Sequence, residues 1–398
     1  MRDVVVVGGG PAGLSLAHAL VVAGVDCALV APDTTWHATY GAWRDDVDGC
    51  DLGAPLDQVV RGQWPTVRVV GNSEHRLRRP YVVFDNSRLR AALSRGVECA
   101  YDSVKHVEHD LATSTLHTHS GATMSARLVI DATGSGSLLA RRGIPAGAQT
   151  AYGVVVDSRV HAGEPLTAAM RRAGVERDVF TLMDWSTPPT FLYGARFDDD
   201  HVLLEETSLY ANPPHEVDDL RQKLAARLGG DLTAIAEHVE RVEIPMGAPL
   251  PSRTTRVVGF GAAAGFIHPV TGYSVAASLR ATARVRDAIV TSLASGQSGT
   301  ELSLAVWQAV WPAAHVRTRG WHDMGLHVLS GLPRTSIGDF FDAFFALPKE
   351  QWSSYLRIDS DPEKIRAAML GVFRGVGNPT RLRLMSSPGA LLRALGAR

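Results

Sequence analysis

The β-branched run Asp3–Val7 passes directly into Gly8, Gly10 and Gly13, in GxGxxG spacing. No other stretch restricts the fold so tightly. An unbroken apolar run suits a strand buried on both faces, as in a parallel sheet. A helical pattern over Leu14–Ala23 and a second apolar strand over Cys27–Ala31 complete a βαβ unit. In such a unit Gly8 permits the tight turn and Gly10 lets the backbone approach a pyrophosphate. Gly13 lets helix and strand pack closely. The helix start, Pro11-Ala12, turns unpaired amides toward the phosphates. The pattern predicts dinucleotide binding. An acid at the end of the second strand usually holds the ribose hydroxyls. Here the nearest is Asp33, slightly late, which either takes that role or caps the next turn.

Two further stretches point to the same ligand. Leu128–Ile130 leads into Asp131-Ala-Thr-Gly134, a strand end with small residues that can approach a flavin cofactor. Val257–Leu279 reads as a short buried strand, a glycine- and alanine-rich turn and a helix start. Both ends of the chain are therefore expected to close on one flavin dinucleotide.

A length of 398 residues exceeds what one core normally holds. We expect an α/β protein with a Rossmann-type FAD-binding domain, an inserted antiparallel-sheet substrate domain and a helical C-terminal region. The expected boundaries are 1–148 (FAD-binding, first part), 149–250 (substrate domain), 251–295 (FAD-binding, return segment) and 296–398 (helical region). Strand candidates in the insertion are Tyr152–Val156, Phe180–Met183, Phe191–Phe197, His201–Thr207 and Val239–Pro245. Helices are expected near 165–173 and 215–229.

A net charge of −1 argues against nucleic acid as a main partner. Cys27, Cys50 and Cys99 have no metal-type spacing and cannot all pair, which fits a reduced, cytoplasmic compartment. No stretch approaches the roughly 18 apolar residues of a membrane span. The fifteen histidines are scattered, and no metal site is expected.

Residues 34–60 read as an irregular loop carrying Trp36, Tyr40, Trp43, Asp45 and Asp46. It is either a ligand wall or a loop packed on the core by its aromatics. After Ser278 the pattern is helical, broken at Pro312, Pro333 and Pro348. Phe340, Phe341, Phe344 and Phe345 at helical spacing suit a core; a lipid-dipping surface is the sharper alternative.

Glu205 and Glu206 follow Val202-Leu203-Leu204 in a strand, so they point to opposite faces. The one facing an apolar pocket has its charged form disfavoured and becomes a proton donor near neutral pH. A solvated pair on a sheet edge is the alternative.

These segments resemble the lycopene cyclase family over nearly the whole chain. The matching stretches are VVVVGGGPAGLSLA, TYGAWRDD, DATG, QTAYG, MDW, LLEETSL, EIPMGAPLP, GFGAAAGFIHPVTGYSVAASL and FFDAFFALP. The resemblance implies a redox-neutral cyclisation: an acid protonates a linear carotenoid end group, a ring closes on the cation, and a proton is lost. It further implies that reduced FAD is required but not consumed, with NAD(P)H as reductant. Glu205 matches the family's catalytic acid, and Glu206 and Asp46 are candidates beside it. Asp46 stands where the family carries Glu, which shortens the arm. Gly8, Gly10, Gly13, Asp131, Gly134, Gly261, Gly265 and Gly272 match flavin-contacting segments. His268, Pro269, Thr271 and Tyr273 are expected near the isoalloxazine. Gly261-Ala262-Ala263 replaces the Gly-Asp-Ala of redox flavoproteins, so ribityl contacts would come from backbone amides or other side chains.

The competing readings are a monooxygenase or reductase of a polyprenoid, cyclisation of a non-carotenoid polyene, and a flavin-binding protein without catalysis. A hydrophobic polyene substrate implies a peripheral membrane association. The resemblance implies a β-type ring, while the residues themselves do not distinguish β, ε and γ closure, and oligomeric state is left open.

Overall fold

The computed structural model describes residues 1–381 except 138, 141–142, 161–163 and 379. The opening βαβ unit forms as its pattern demands. The strand Arg2–Val7 lies parallel between Cys27–Val30 and Thr123–Asp131, and Val4, Val5 and Val6 are fully buried. Val257–Gly259 adds in parallel beside the end of Thr123–Asp131, which brings the distant glycine turn to the same sheet edge. The helices Pro11–Val22 and Val275–Ala294 pack together against this sheet.

A second seven-stranded sheet follows Gly147–Asp157, whose partners are His201–Ser208 on one side and His238–Met246 on the other. Thr190–Arg196 and Val179–Asp184 extend it. All five expected strands and both helices are present, as Glu164–Ala173 and Val217–Leu228. The sheet departs from expectation in two ways. The hairpin Thr66–Val70 and Glu74–Leu77 belongs to it, although residues 1–148 were expected to serve the FAD-binding domain throughout. Its contact with Val179–Asp184 is parallel, so the sheet is not wholly antiparallel. A third, three-stranded sheet joins Gly41–Trp43, Tyr81–Phe84 and Val60–Trp64.

Among the described residues the C-terminal region is helical; residues 382–398 of the expected helical region lie outside the described residues. The three prolines act as breaks. Helices begin directly after them, at Ala313, Arg334 and Lys349. This is where the fixed φ of proline and its missing N–H are tolerated. No helix among the described residues is long and apolar enough to cross a membrane.

Candidate active site

The glycine turn is shaped by steric need. Gly8 has φ +112, and a Cβ there would lie 2.4 Å from the Ala132 carbonyl oxygen. A Cβ on Gly13 would lie 1.9 Å from the Gly8 oxygen. Both positions therefore hold the turn, the helix and the DATG strand end together. Gly10 differs: a Cβ there would meet nothing within 4 Å. The helix that starts at Pro11 has no side-chain cap, so its first amides are left for an anion. Trp36 Nε1 donates to the Gly9 oxygen at 2.9 Å and fixes the turn from the following loop.

These groups open into one cavity of about 870 Å³. Gly8, Gly10, Pro11, Ala12, Gly134 and Ala262 line one part of it. Leu182, Met183, Phe191, Phe341, Phe344 and Leu356 line another. The phenylalanines at 340, 341, 344 and 345 belong to the core, with Phe341 and Phe344 buried, and all four also line the cavity. From the loop 34–60, Thr39, Tyr40 and Gly41 form wall, while Trp43 packs edge-on against Tyr81 in the core. Both readings of that loop describe part of it.

Glu205 lines the cavity and is 7% exposed. Thr207 Oγ1 donates to its Oε1 at 2.7 Å. Burial, reinforced by the charge of Glu240, pushes its carboxyl up to about 8. Desolvation disfavours the carboxylate and outweighs the Thr207 hydrogen bond. The phenols Tyr81, Tyr193 and Tyr273 also line the cavity, and burial holds each well above its ordinary range. They remain neutral donors at any ordinary pH.

Other candidates sit elsewhere. Glu206 faces the opposite side of the sheet. Arg227 donates to it from Nε at 2.7 Å and from Nη2 at 2.9 Å, and Thr190 Oγ1 donates at 2.5 Å. Alternation along the strand therefore removes Glu206 from the cavity and makes it half of a buried ion pair. Asp46 does not line the cavity either. It is buried against Arg79, whose Nη2 donates to it at 2.7 Å, and against Arg357, with Arg280 at 3.8 Å. Arg79 is itself 0% exposed and lies over the Trp43 ring. Asp33 is exposed and paired with Arg90 at 2.8 Å, while its neighbours Pro32 and Thr34 line the cavity.

Asp131 is buried and turned into its own loop. It accepts from the Thr133 amide at 3.0 Å, from Thr133 Oγ1 at 2.7 Å and from the Ala140 amide at 2.8 Å. It thereby shapes the segment whose Thr133 and Gly134 line the cavity. In the return turn Thr271, Gly272 and Tyr273 line the cavity; Gly261, Gly265, His268 and Pro269 support it from behind. His268 Nδ1 accepts from the amides of Val270 and Thr271 at 3.2 Å, and its Nε2 donates to the Tyr355 oxygen at 2.9 Å. His322 Nε2 donates to that same oxygen at 2.9 Å. Burial pushes His268 down to about 4, so the imidazole is neutral and locks the turn. His268, expected near the isoalloxazine, does not line the cavity and instead braces the turn behind its wall.

Arg319, which no motif marked, clamps the turn. It donates to the Gly265 oxygen at 3.0 Å and to the Ala248 oxygen at 2.8 Å. One group of metal-type side chains comes together among the described residues: His106, Glu108 and His117, brought close by a hairpin. Spacing in the sequence does not reveal it, and none of the three lines the cavity.

The family model for lycopene cyclase protein matches residues 3–373. The chain belongs to the lycopene cyclase family. It is 34% identical over 400 residues to the lycopene beta cyclase of Capsicum annuum, covering 96% of this chain and 80% of that one. It is 32% identical to the lycopene beta cyclase of Synechococcus elongatus, covering 99% of this chain and 98% of the relative. Among solved structures, a geranylgeranyl bacteriochlorophyll reductase-like protein from Thermoplasma acidophilum has a TM-score of 0.67 at 14% identity, covering 92% and 95% of the two chains. The halogenase PltM, solved with phloroglucinol and FAD, has a TM-score of 0.61 at 13% identity, covering 100% and 93%. This lycopene cyclase family member therefore has a flavoprotein fold, and Glu205 is the carboxyl of its LLEETSL segment that faces the cavity.

Proposed function

We propose that the protein cyclises the linear end groups of lycopene or a related carotenoid, without net redox change, and that the ring formed is β. One observation carries the reading: Glu205 is a buried carboxyl on the wall of a largely apolar cavity, kept protonated near neutral pH. That is the state a proton donor needs. The relatives named lycopene beta cyclase support the substrate class and the ring type.

The residues fit FAD. Gly10 leaves open room, the helix beginning at Pro11 is uncapped, and Thr133, Gly134 and Ala262 continue the same wall. Held there in reduced form, with NAD(P)H as reductant, FAD would supply negative charge that stabilises a carbocation. The chain's own part is to deliver and recover a proton and to keep water out. Glu205 gives its proton to the terminal double bond. Neutral Tyr81, Tyr193 and Tyr273 offer polar contact without competing as bases. The phenylalanines at 340, 341, 344 and 345 surround an apolar chain.

Because such a substrate resides in lipid, the protein is proposed to act at a membrane surface. Flotation with liposomes tests this, and failure to float would count against it. The acid is tested by Glu205→Gln. With FAD bound as in the wild type, the variant should lose cyclisation by at least ~100-fold. Full activity would exclude Glu205 as the donor.

A further inference from the structure

In the second sheet Gly153 lies opposite Glu205 on one side and opposite Glu240 on the other. Directly opposed residues share a face. Glu205, Gly153 and Glu240 therefore form a row across three strands, with no side chain in the middle. Glu205 leans into that gap. A Cβ on Gly153 would lie 3.1 Å from Glu205 Cβ, 3.2 Å from Cγ and 3.2 Å from Oε2. Glu240 is buried, lines the same cavity and is held by Thr39, whose amide donates at 3.3 Å and whose hydroxyl donates to Oε1. None of the family segments quoted above contains it.

We propose that Glu240 is the second half of the proton circuit. Glu205 as the acid and Glu240 as the carboxylate share one proton across Gly153, and Glu240 takes up the proton that the ring-closed cation loses. The proposal rests on the cyclase reading. It balances without an outside donor. The Glu205 O–H bond breaks as a C–H bond forms on the end group, and an internal double bond closes the ring. A C–H bond next to the cation then breaks, and its electron pair becomes the ring double bond. Its proton goes to Glu240, and transfer over Gly153 restores the starting state. Two carboxyls whose charges oppose one another across a shared strand titrate as a pair, one protonated while the other is ionised.

The groups facing the pair are few. Glu205 meets Thr207, Tyr193 and the charge of Glu240. Burial raises the Glu240 carboxyl above its ordinary range, opposed by the Thr39 hydrogen bonds and by His238 and Arg61, and Tyr40 lies beside it.

The test uses the holoprotein and two readouts. Infrared titration follows the protonated carboxyl that disappears in Glu205→Gln; this needs no substrate. In Glu240→Gln its midpoint should fall by about one pH unit or more, because a like charge has gone. With lycopene in liposomes, Glu240→Gln should lose at least ~100-fold in kcat, with little change in KM, and Glu240→Asp should recover part of the loss. An unchanged midpoint together with wild-type kcat in Glu240→Gln would overturn the proposal. Gly153→Ala keeps both carboxyls and covers the case in which Glu240→Gln fails to fold; it too should lower the midpoint, and an unchanged one would count against the shared proton. If the wild type cyclises nothing, the cyclase reading fails, while the infrared titration still decides whether the carboxyls share a proton.

Discussion

Arg227 and Glu206 form a two-pronged ion pair, at 2.7 and 2.9 Å, with side chains 7% and 1% exposed. The pair ties the helix Val217–Leu228 to the back of the strand whose front carries Glu205. Removing one partner of a buried pair leaves the other charge without compensation, which typically costs about 3–5 kcal/mol. Arg227→Met should therefore lower the denaturation midpoint markedly. The folded fraction should keep its activity, because the pair does not line the cavity. Denaturant titration with activity per folded molecule checks both.

The glycines of the first turn should separate by role. Gly13→Ala drives a Cβ into the Gly8 carbonyl and should destabilise the protein even without cofactor. Gly10→Ala meets no protein atom, and its φ of −75 suits any residue. It should leave the melting temperature of the FAD-free protein unchanged and weaken FAD binding by ~10-fold or more, about 1.4 kcal/mol. Equal melting losses in the two variants would contradict this division.

The raised carboxyl of Glu205 sets a pH dependence for stability as well as for activity. Its folded-state value of about 8 lies above the ordinary 4.5. Between those values the folded state binds more protons than the unfolded one, so stability falls as pH rises. The contribution is fully present below about 4.5 and lost by about 8. Glu205→Gln should flatten this slope and melt higher than the wild type at neutral pH. Activity should fall on the alkaline side through the same region. The difference between wild-type and variant melting curves across pH isolates the effect from other titrating groups.

Gly153→Ala should act through position alone. Alanine is ordinarily better than glycine in a strand by roughly 0.5–1 kcal/mol, but here its Cβ meets Glu205 at 3.1–3.2 Å. We expect a protein of near wild-type stability with reduced kcat, and measurement of both decides.

Much of the fold was legible because its signals are local. The β-branched strands, the glycine spacing and the helix-starting prolines each act within a few residues. The facing of Glu205 also follows from strand alternation once the strand is recognised. What escaped depends on pairing between distant segments. Glu240 sits in EHVERVEIPMG with no motif of its own, and it meets Glu205 only because Gly147–Asp157 runs between their strands. The one signal available was a glycine in the middle of that strand, where close approach of neighbours is the usual reason. The hairpin Thr66–Leu77 joins the second sheet through a parallel contact with Val179–Asp184. Asp46 lies in the TYGAWRDD segment but serves Arg79, a cation whose burial against Trp43 the sequence does not announce.

The central claim is a redox-neutral ring closure driven by a protein carboxyl. The most direct test is the mass of the pigment formed anaerobically from lycopene in liposomes, with FAD and NADPH, in ordinary and in heavy water. We predict an unchanged mass in ordinary water and, because the carboxyl pair exchanges its proton with solvent before each substrate binds, one deuterium gained per ring in heavy water; ring formation and deuterium uptake should both be lost in Glu205→Gln. A product heavier by oxygen or by a pair of hydrogens in ordinary water would contradict the account.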